Sequence, residues 1–258
     1  MGILNATPDS FSDGGKYRTA SDAIAQAELM IANGVDLIDI GGESTRPGAE
    51  PVSLQEELDR VLPVIESLKN CGVPLSIDTY KAETMRQALH TGANCVNDIW
   101  ALRQEGAIDA VLESSNCGVV LMHMQRDPQT MQFDPEYVDV ISEVSQFLNE
   151  RVALLIKSGI NQDRIAIDPG FGFGKSLEHN INMLAHFQSF TSAGFPVLAG
   201  ISRKSMLGKI TGKDSNDRVA SSIAAAIMAA DRGAQIIRVH DVPETVDALK
   251  LWEALQKE

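Results

Sequence analysis

Short apolar runs of four to six residues recur along the chain, separated by longer stretches in which apolar positions return every three or four residues. The runs read as strands and the stretches as amphipathic helices, and their alternation predicts βαβ units built around a parallel sheet. Strands are expected at residues 2–5, 36–41, 74–78, 95–99, 118–123, 165–168, 196–201 and 235–240. Helices are expected at about 21–33, 54–69, 82–91, 106–114, 135–158, 178–189, 216–232 and 243–256, several of them opened by Ser, Asp or Pro. Strands this continuously rich in Val, Ile and Leu need both sheet faces covered. Gly34, Gly72, Gly92, Gly118, Gly159, Gly194 and Gly233 each fall between a helix and the next strand, where the turn favours a residue that tolerates positive φ. No linker, charge block or low-complexity tract offers a boundary, so residues 1–258 read as one α/β domain, a (β/α)8 TIM barrel, with a doubly wound sheet as the structural alternative.

Composition narrows the function classes. With 44% hydrophobic and 22% charged residues the chain can bury a sizeable core, which excludes disorder. A formal net charge of −13 argues against a nucleic-acid surface, so an anionic ligand has to meet a local positive site. Cys71, Cys95 and Cys117 are odd in number and lack metal-ligand spacing, so neither a disulfide framework nor a zinc site is expected, only buried, inert thiols. The Ala-rich stretch near 219–230 is too short and interrupted for a membrane span, and no signal peptide is expected ahead of the first strand. A reducing cytoplasm is the expected compartment.

The polar residues carry the chemistry. Followed along the chain, the strands end on Asn5, Asp39, Asp78, Asn97 and Asp98, His123, Asp168, Ser202, and Arg238 and His240. Any one of these alone is ordinarily a loop or helix cap. Together they predict a polar pocket at the C-terminal rim of the barrel strands, where this fold builds its active sites. The connections at 5–16 and 41–48 are polar and Gly-rich, fitting loops over a pocket or plain surface turns. Asp168-Pro169-Gly170-Phe171-Gly172-Phe173-Gly174-Lys175-Ser176 invites comparison with a phosphate-binding P-loop. The comparison fails, because the first Gly of that motif is replaced by Pro169, which has no N–H. Its alternating glycines instead suit a tight turn against a flat ring. Ser202-Arg203-Lys204-Ser205 places cations and hydroxyls where a helix can start, a site for a carboxylate or phosphate. Arg238 and His240 share one sheet face by strand alternation. Asp78, Asp168 and the amide of Asn97 suit a heterocycle rich in N–H groups, and a pyrophosphate would call for Mg2+ with Asn5, Arg238 and His240. Paired carboxylates of a glycosidase would leave those cations without a purpose.

Met1-Gly2-Ile3-Leu4-Asn5-Ala6-Thr7-Pro8-Asp9-Ser10-Phe11-Ser12-Asp13-Gly14-Gly15 and Asp39-Ile40-Gly41-Gly42-Glu43-Ser44-Thr45-Arg46-Pro47-Gly48 resemble the two signatures of the dihydropteroate synthase family of pterin-binding barrels. Asp168 to Lys175, Ser202 to Ser205 and Arg238-Val239-His240-Asp241 continue the match along essentially the whole chain. The resemblance implies that a pterin pyrophosphate is joined to p-aminobenzoate with loss of pyrophosphate. It implies Asp78, Asn97, Asp168 and Lys204 around the pterin, and Asn5, Thr45, Arg238 and His240 around the pyrophosphate. Mg2+ would meet Asn5. Phe11, Asp13, Arg46, Pro47, Phe173 and Ser205 would frame p-aminobenzoate, and Asn5, Asp78, Asp168 and Lys204 would form the catalytic set. It further implies small-molecule substrates only, with no nucleic acid or membrane partner, and a homodimer. Ala6 stands where Val is more usual, and family members carry a further stretch ahead of the first strand, so the barrel floor is where a difference is expected. A methyltetrahydrofolate-binding methyltransferase barrel shares the pterin carboxylates but needs no pyrophosphate pocket, and a catalytically silent pterin-binding homologue would share the residues without the turnover.

Overall fold

The computed structural model describes residues 1–6, 20–44, 50–126, 130–131, 133 and 135–256. Its strands are β1 (Gly2–Asn5), β2 (Ile38–Gly41), β3 (Leu75–Asp78), β4 (Cys95–Asp98), β5 (Gly118–Met122), β6 (Ile165–Asp168), β7 (Leu198–Ala199) and β8 (Ile236–Ile237). Between and after them run α1 (Ala20–Ala32), α2 (Leu54–Leu68), α3 (Ala82–Thr91), α4 (Ala107–Leu112), α5 (Val140–Lys157), α6 (Leu177–Ala185), α7 (Gln188–Thr191), α8 (Ser205–Thr211), α9 (Val219–Asp231) and α10 (Val242–Leu255). The first six strands pair in parallel in chain order, and β7 pairs with β8. Two isolated parallel bridges close the ring. Ile167 faces Val197, with the Ile167 N–H donating to Pro196 O at 2.9 Å, and Gly2 faces Val239, with the Ile3 N–H donating to Val239 O at 2.9 Å. The result is the closed parallel barrel expected from the pattern, and closure leaves no sheet edge to protect.

Alternation along the strands sorts the side chains into two layers. Val120, Ala166 and Leu198, with Met1, Cys95 and Ile236 against them, fill the barrel interior. The opposite face meets the helices in the main core, where Phe171, Phe187 and Phe190 are fully buried and Phe171 stacks on Phe187 at 6.2 Å. Helix α5 shows how the outer ring is specified. Asp139 caps its first turn by accepting the Ile141 N–H at 3.1 Å, and Val140, Val144, Leu148, Val152 and Leu155 form a buried stripe at helical spacing. Burying such a side chain contributes about 1.5–3 kcal/mol, so the stripe holds the helix against the sheet.

Several expectations are corrected. β7 and β8 are shorter than the runs 196–201 and 235–240, and at their start the Val197 N–H donates to the Gln235 side chain at 2.9 Å in place of a backbone carbonyl. The helix expected at 135–158 begins only after its Asp139 cap, and 178–189 is divided at His186 into α6 and α7. Helix α8, seven residues long, is too short to show a period in the sequence. Six of the seven inter-element glycines have φ between 77° and 135°. Gly118 does not, since it opens β5 and is already paired with Cys95. Of the three thiols only Cys117 is buried, whereas Cys71 and Cys95 are half-buried; all three are free, and burial pushes the Cys95 thiol up to about 12.

Candidate functional site

The residues two positions beyond the interior layer on each strand share its face and so point into the mouth of the barrel: Asn97 beyond Cys95, Met122 beyond Val120, Asp168 beyond Ala166 and Arg238 beyond Ile236. The pairing register places Asn5, Gly41, Asp78 and Asn97 in one row across four adjacent strands. Arg238 joins that row to the layer below. Its Nε donates to Asp39 Oδ2 at 2.6 Å and its Nη2 to Asp78 Oδ2 at 2.7 Å, while Asn97 Nδ2 donates to the same Asp39 oxygen at 2.9 Å.

The second half of the site hangs on the turn after β6. Asp168 Oδ1 accepts the Gly170 N–H at 2.7 Å, and Gly170, Gly172 and Gly174 all have positive φ. Lys175 staples the turn from beneath. It is buried, and its ammonium nitrogen donates to Gly170 O at 2.9 Å and Phe173 O at 3.0 Å and lies 3.0 Å from His123 Nδ1. His123, expected at the rim, is therefore a partner of this staple, and burial followed by the charge of Lys175 pushes its imidazole down to about 2. Phe171 points into the helix-side core, but its carbonyl accepts from Lys204, whose Nζ lies 4.5 Å from the Phe173 ring centre. Lys204 immediately follows Arg203, which is held at φ 56° by Ser222 Oγ at its N–H (2.9 Å) and by an ion pair with Asp241. The strained backbone aims Lys204 into the barrel mouth and leaves Ser205 exposed at the first position of α8. His240 lies beside Ser202, with Nδ1 and Oγ 3.0 Å apart.

The electrostatics of a closed mouth shift these groups. Burial raises Asp78 to about 7, with Arg238 opposing the rise, and burial likewise raises Asp168 against the pull of Lys204. Burial lowers Lys204 to about 8, with Asp168 opposing. For Arg238 burial also disfavours the charge, yet Asp39 and Asp78 more than offset it and its pKa rises. Ile99, Met122, Met124 and Met131, with Tyr80, Trp100 and Phe173 packed on them, supply an apolar wall. The site thus pairs three acceptors (Asp78, Asn97, Asp168) and two cations (Lys204, Arg238) with a surface for a flat ring.

Among the expected site residues, Asn5, Asp78, Asn97, Asp168, Phe173, Lys204, Ser205, Arg238 and His240 lie at or beside this rim, whereas Phe11, Asp13, Thr45, Arg46 and Pro47 lie outside the described residues. Asp98 is turned to the helix side, where it is fully buried and accepts the N–H groups of Trp100 (2.8 Å) and Leu102 (2.7 Å). The methionine wall escaped the sequence reading, and Asp39, noted there as a polar strand end, was given no role of its own. Asp39 had one usable signal, its place two residues before Gly41 on the interior face. No cluster of three or more acidic, His or Cys groups among the described residues could hold a metal on its own. An amide oxygen such as that of Asn5 fits Mg2+ that arrives with substrate phosphates and keeps its waters. A separate cavity of 640 Å3 beside α4, lined by Arg103 and Arg151, lies on the outer flank, and Arg151 donates there to the Ala101 and Leu102 carbonyls.

A closed parallel barrel with these groups at its strand ends defines a barrel enzyme for a flat, N–H-rich heterocycle bearing an anionic tail. The family of pterin binding enzymes matches residues 1–240. This chain belongs to that family. It is 49% identical to the dihydropteroate synthase of Neisseria meningitidis serogroup C over 99% of this chain and 92% of the relative. Among solved structures, Burkholderia cenocepacia dihydropteroate synthase complexed with 7,8-dihydropteroate is 52% identical with a TM-score of 0.91, covering 99% of this chain and 90% of that one. Xanthomonas albilineans dihydropteroate synthase with 4-aminobenzoic acid is 52% identical with a TM-score of 0.93, covering 99% and 92%.

Proposed function

We propose that this chain is a dihydropteroate synthase, a transferase that joins 6-hydroxymethyl-7,8-dihydropterin pyrophosphate to p-aminobenzoate. The observation that carries the reading is the gathering of Asp78, Asn97 and Asp168 with Lys204 and Arg238 at one barrel rim. In a relative about half identical, that rim belongs to a protein solved with the product dihydropteroate. Asp78, Asn97 and Asp168 accept from the pterin N–H groups, and Lys204 donates to the ring edge. Asn5, Arg238 and His240, with Thr45, face the pyrophosphate. Phe173 and Ser205, with Phe11, Asp13, Arg46 and Pro47, receive p-aminobenzoate. Mg2+ held by Asn5 and the phosphates would neutralise charge on the leaving group. The C–O bond to the pyrophosphate breaks with its electron pair leaving on the phosphate oxygen, and the pterin ring spreads the positive charge left on the methylene carbon. The aryl amine then forms the C–N bond and gives up a proton. The residues orient the partners and stabilise charge, so no strong general base is needed. On this reading the enzyme is a cytoplasmic homodimer acting on small molecules. Among the described residues, no helix is long and apolar enough to cross a membrane.

The direct test supplies the pterin pyrophosphate and Mg2+ with and without p-aminobenzoate and follows pyrophosphate and dihydropteroate. Release that depends on p-aminobenzoate and equals product supports the synthase; pterin binding without release would mean a silent homologue. The acidity of Lys204 adds a prediction. Its native value is about 8 against 10.5 for an ordinary lysine, so the native protein loses this proton first. If the ammonium is the working form, kcat/KM for the pterin substrate falls as pH rises through about 8, while the same shift makes the fold gain stability between about 8 and 10.5. A kcat/KM flat from about pH 7 to about pH 10 would remove Lys204 from the charged set.

A further inference from the structure

Asp39 has no role in the site as assigned so far, yet it is fully buried beneath it and touches two of its members. Its Oδ2 receives both Asn97 Nδ2 at 2.9 Å and Arg238 Nε at 2.6 Å. Among the described residues its Oδ1 meets no hydrogen-bond donor, and Ser76, its register neighbour on β3, makes no hydrogen bond to it. A carboxylate only accepts, so Asn97 must turn its NH2 down to Asp39 and its amide oxygen toward the mouth. That makes Asn97 a third acceptor beside Asp78 and Asp168. Arg238 is held through two different nitrogens, Nε by Asp39 one layer down and Nη2 by Asp78 in the rim row. A ring N–H donated to Asp78 competes with the Nη2 arm and leaves the Nε arm untouched.

We propose that Asp39 is a positioning residue for the pterin pyrophosphate: it fixes the amide of Asn97 as an acceptor toward the ring and keeps Arg238 tethered through Nε when the ring takes Asp78. The proposal rests on the synthase reading. Asp39→Asn tests it with little change of shape. The new amide oxygen can occupy the Oδ2 position and still accept from Asn97 and Arg238, and the side chain keeps its volume, so the fold is expected to persist. What is lost is the negative charge that faces Arg238 and the demand that Asn97 donate downward, since the new amide can also turn and donate upward.

The KM for pterin pyrophosphate is expected to rise on the order of 10- to 100-fold, with the KM for p-aminobenzoate unchanged. Combined with Arg238→Gln, the loss should be well short of the product of the two single losses. Ser76→Ala, which removes a hydroxyl outside this network, should leave both KM values as they were. An independent reading uses the parent protein with 15N-labelled arginine. A slowly exchanging Arg238 Nε–H signal, identified by its absence in Arg238→Lys, should survive saturation with the pterin pyrophosphate. Loss of that signal on binding, an unchanged pterin KM in Asp39→Asn, or a Ser76→Ala effect as large would each overturn the positioning role while leaving the synthase reading intact. Parent protein that releases no pyrophosphate with p-aminobenzoate present would overturn both.

Discussion

Lys204→Ala is expected to lower dihydropteroate turnover by about 100- to 1000-fold, the range seen when one preorganised charge-stabilising donor is removed from an active site, while the melting temperature stays close to that of the parent. The two halves of this result have separate causes. Lys204 is desolvated at the mouth of the barrel, where burial already works against its charge, and its ammonium contacts the Phe171 carbonyl and the face of Phe173 at 4.5 Å. Removing it therefore relieves a desolvation cost as well as losing contacts, and the net effect on folding is small. Asp168 keeps the Gly170 N–H at 2.7 Å, and burial already works against its charge. The reaction has no such compensation, since the charge that orients the ring is gone. Asp168→Asn should behave alike, removing the acceptor but leaving an oxygen for the Gly170 N–H. The check is product formation beside a thermal melt, and a Lys204→Ala protein with parental turnover would show that the rim has been assigned wrongly.

How far the site could be read from the sequence follows from strand parity. Strand-end polarity pointed to one rim of the barrel, but it mixed the two sheet faces. Asn97 and Asp98 are neighbours, yet only Asn97 faces the barrel; Met122 and His123 divide in the same way, with the methionine on the ring wall and the histidine beneath the Lys175 staple. Counting by twos from the apolar interior residues would have separated them. The eight strands were legible because parallel strands buried on both faces are continuous apolar runs. Helix α8 was not, since seven residues hold fewer than two turns and its start depends on the backbone of Arg203 at φ 56°, maintained by Ser222 and Asp241 from distant segments. Asp39 was seen as a strand-end residue, but that it binds both Asn97 and Arg238 depends on which strands become neighbours around the ring. Motif resemblance supplied roles for Thr45, Arg46, Phe11 and Asp13 that periodicity could not, and those residues lie outside the described residues.

Gly170→Ala is expected to be the most damaging alanine substitution among the described glycines, and Gly194→Ala shows why. Both glycines have similar left-handed backbones, φ 73° and 77°. A Cβ at Gly194 meets nothing within 4 Å, so its substitution carries only backbone strain, about 1–2 kcal/mol, partly offset by the reduced freedom of the unfolded chain. At Gly170 the same Cβ would lie 2.0 Å from the His123 carbonyl oxygen and 3.1 Å from its carbon, a contact with backbone at the end of β5 that no rotamer change relieves. Something in the β5–β6 corner has to move. The His123 N–H donates to Asp168 O at 2.9 Å, the Gly170 N–H to Asp168 Oδ1 at 2.7 Å, and Lys175 to Gly170 O at 2.9 Å, so any displacement loosens the strand pairing, the acceptor and the staple together. A destabilisation of about 4–5 kcal/mol, in the range reserved for core strain and broken buried networks, is expected for Gly170→Ala, with turnover lost in whatever fraction still folds. Urea unfolding of the two variants side by side isolates the steric part, because the backbone strain is common to both. Equal midpoints would mean that the corner can open without cost, and that the close approach of the turn to β5 does not hold Asp168 in place.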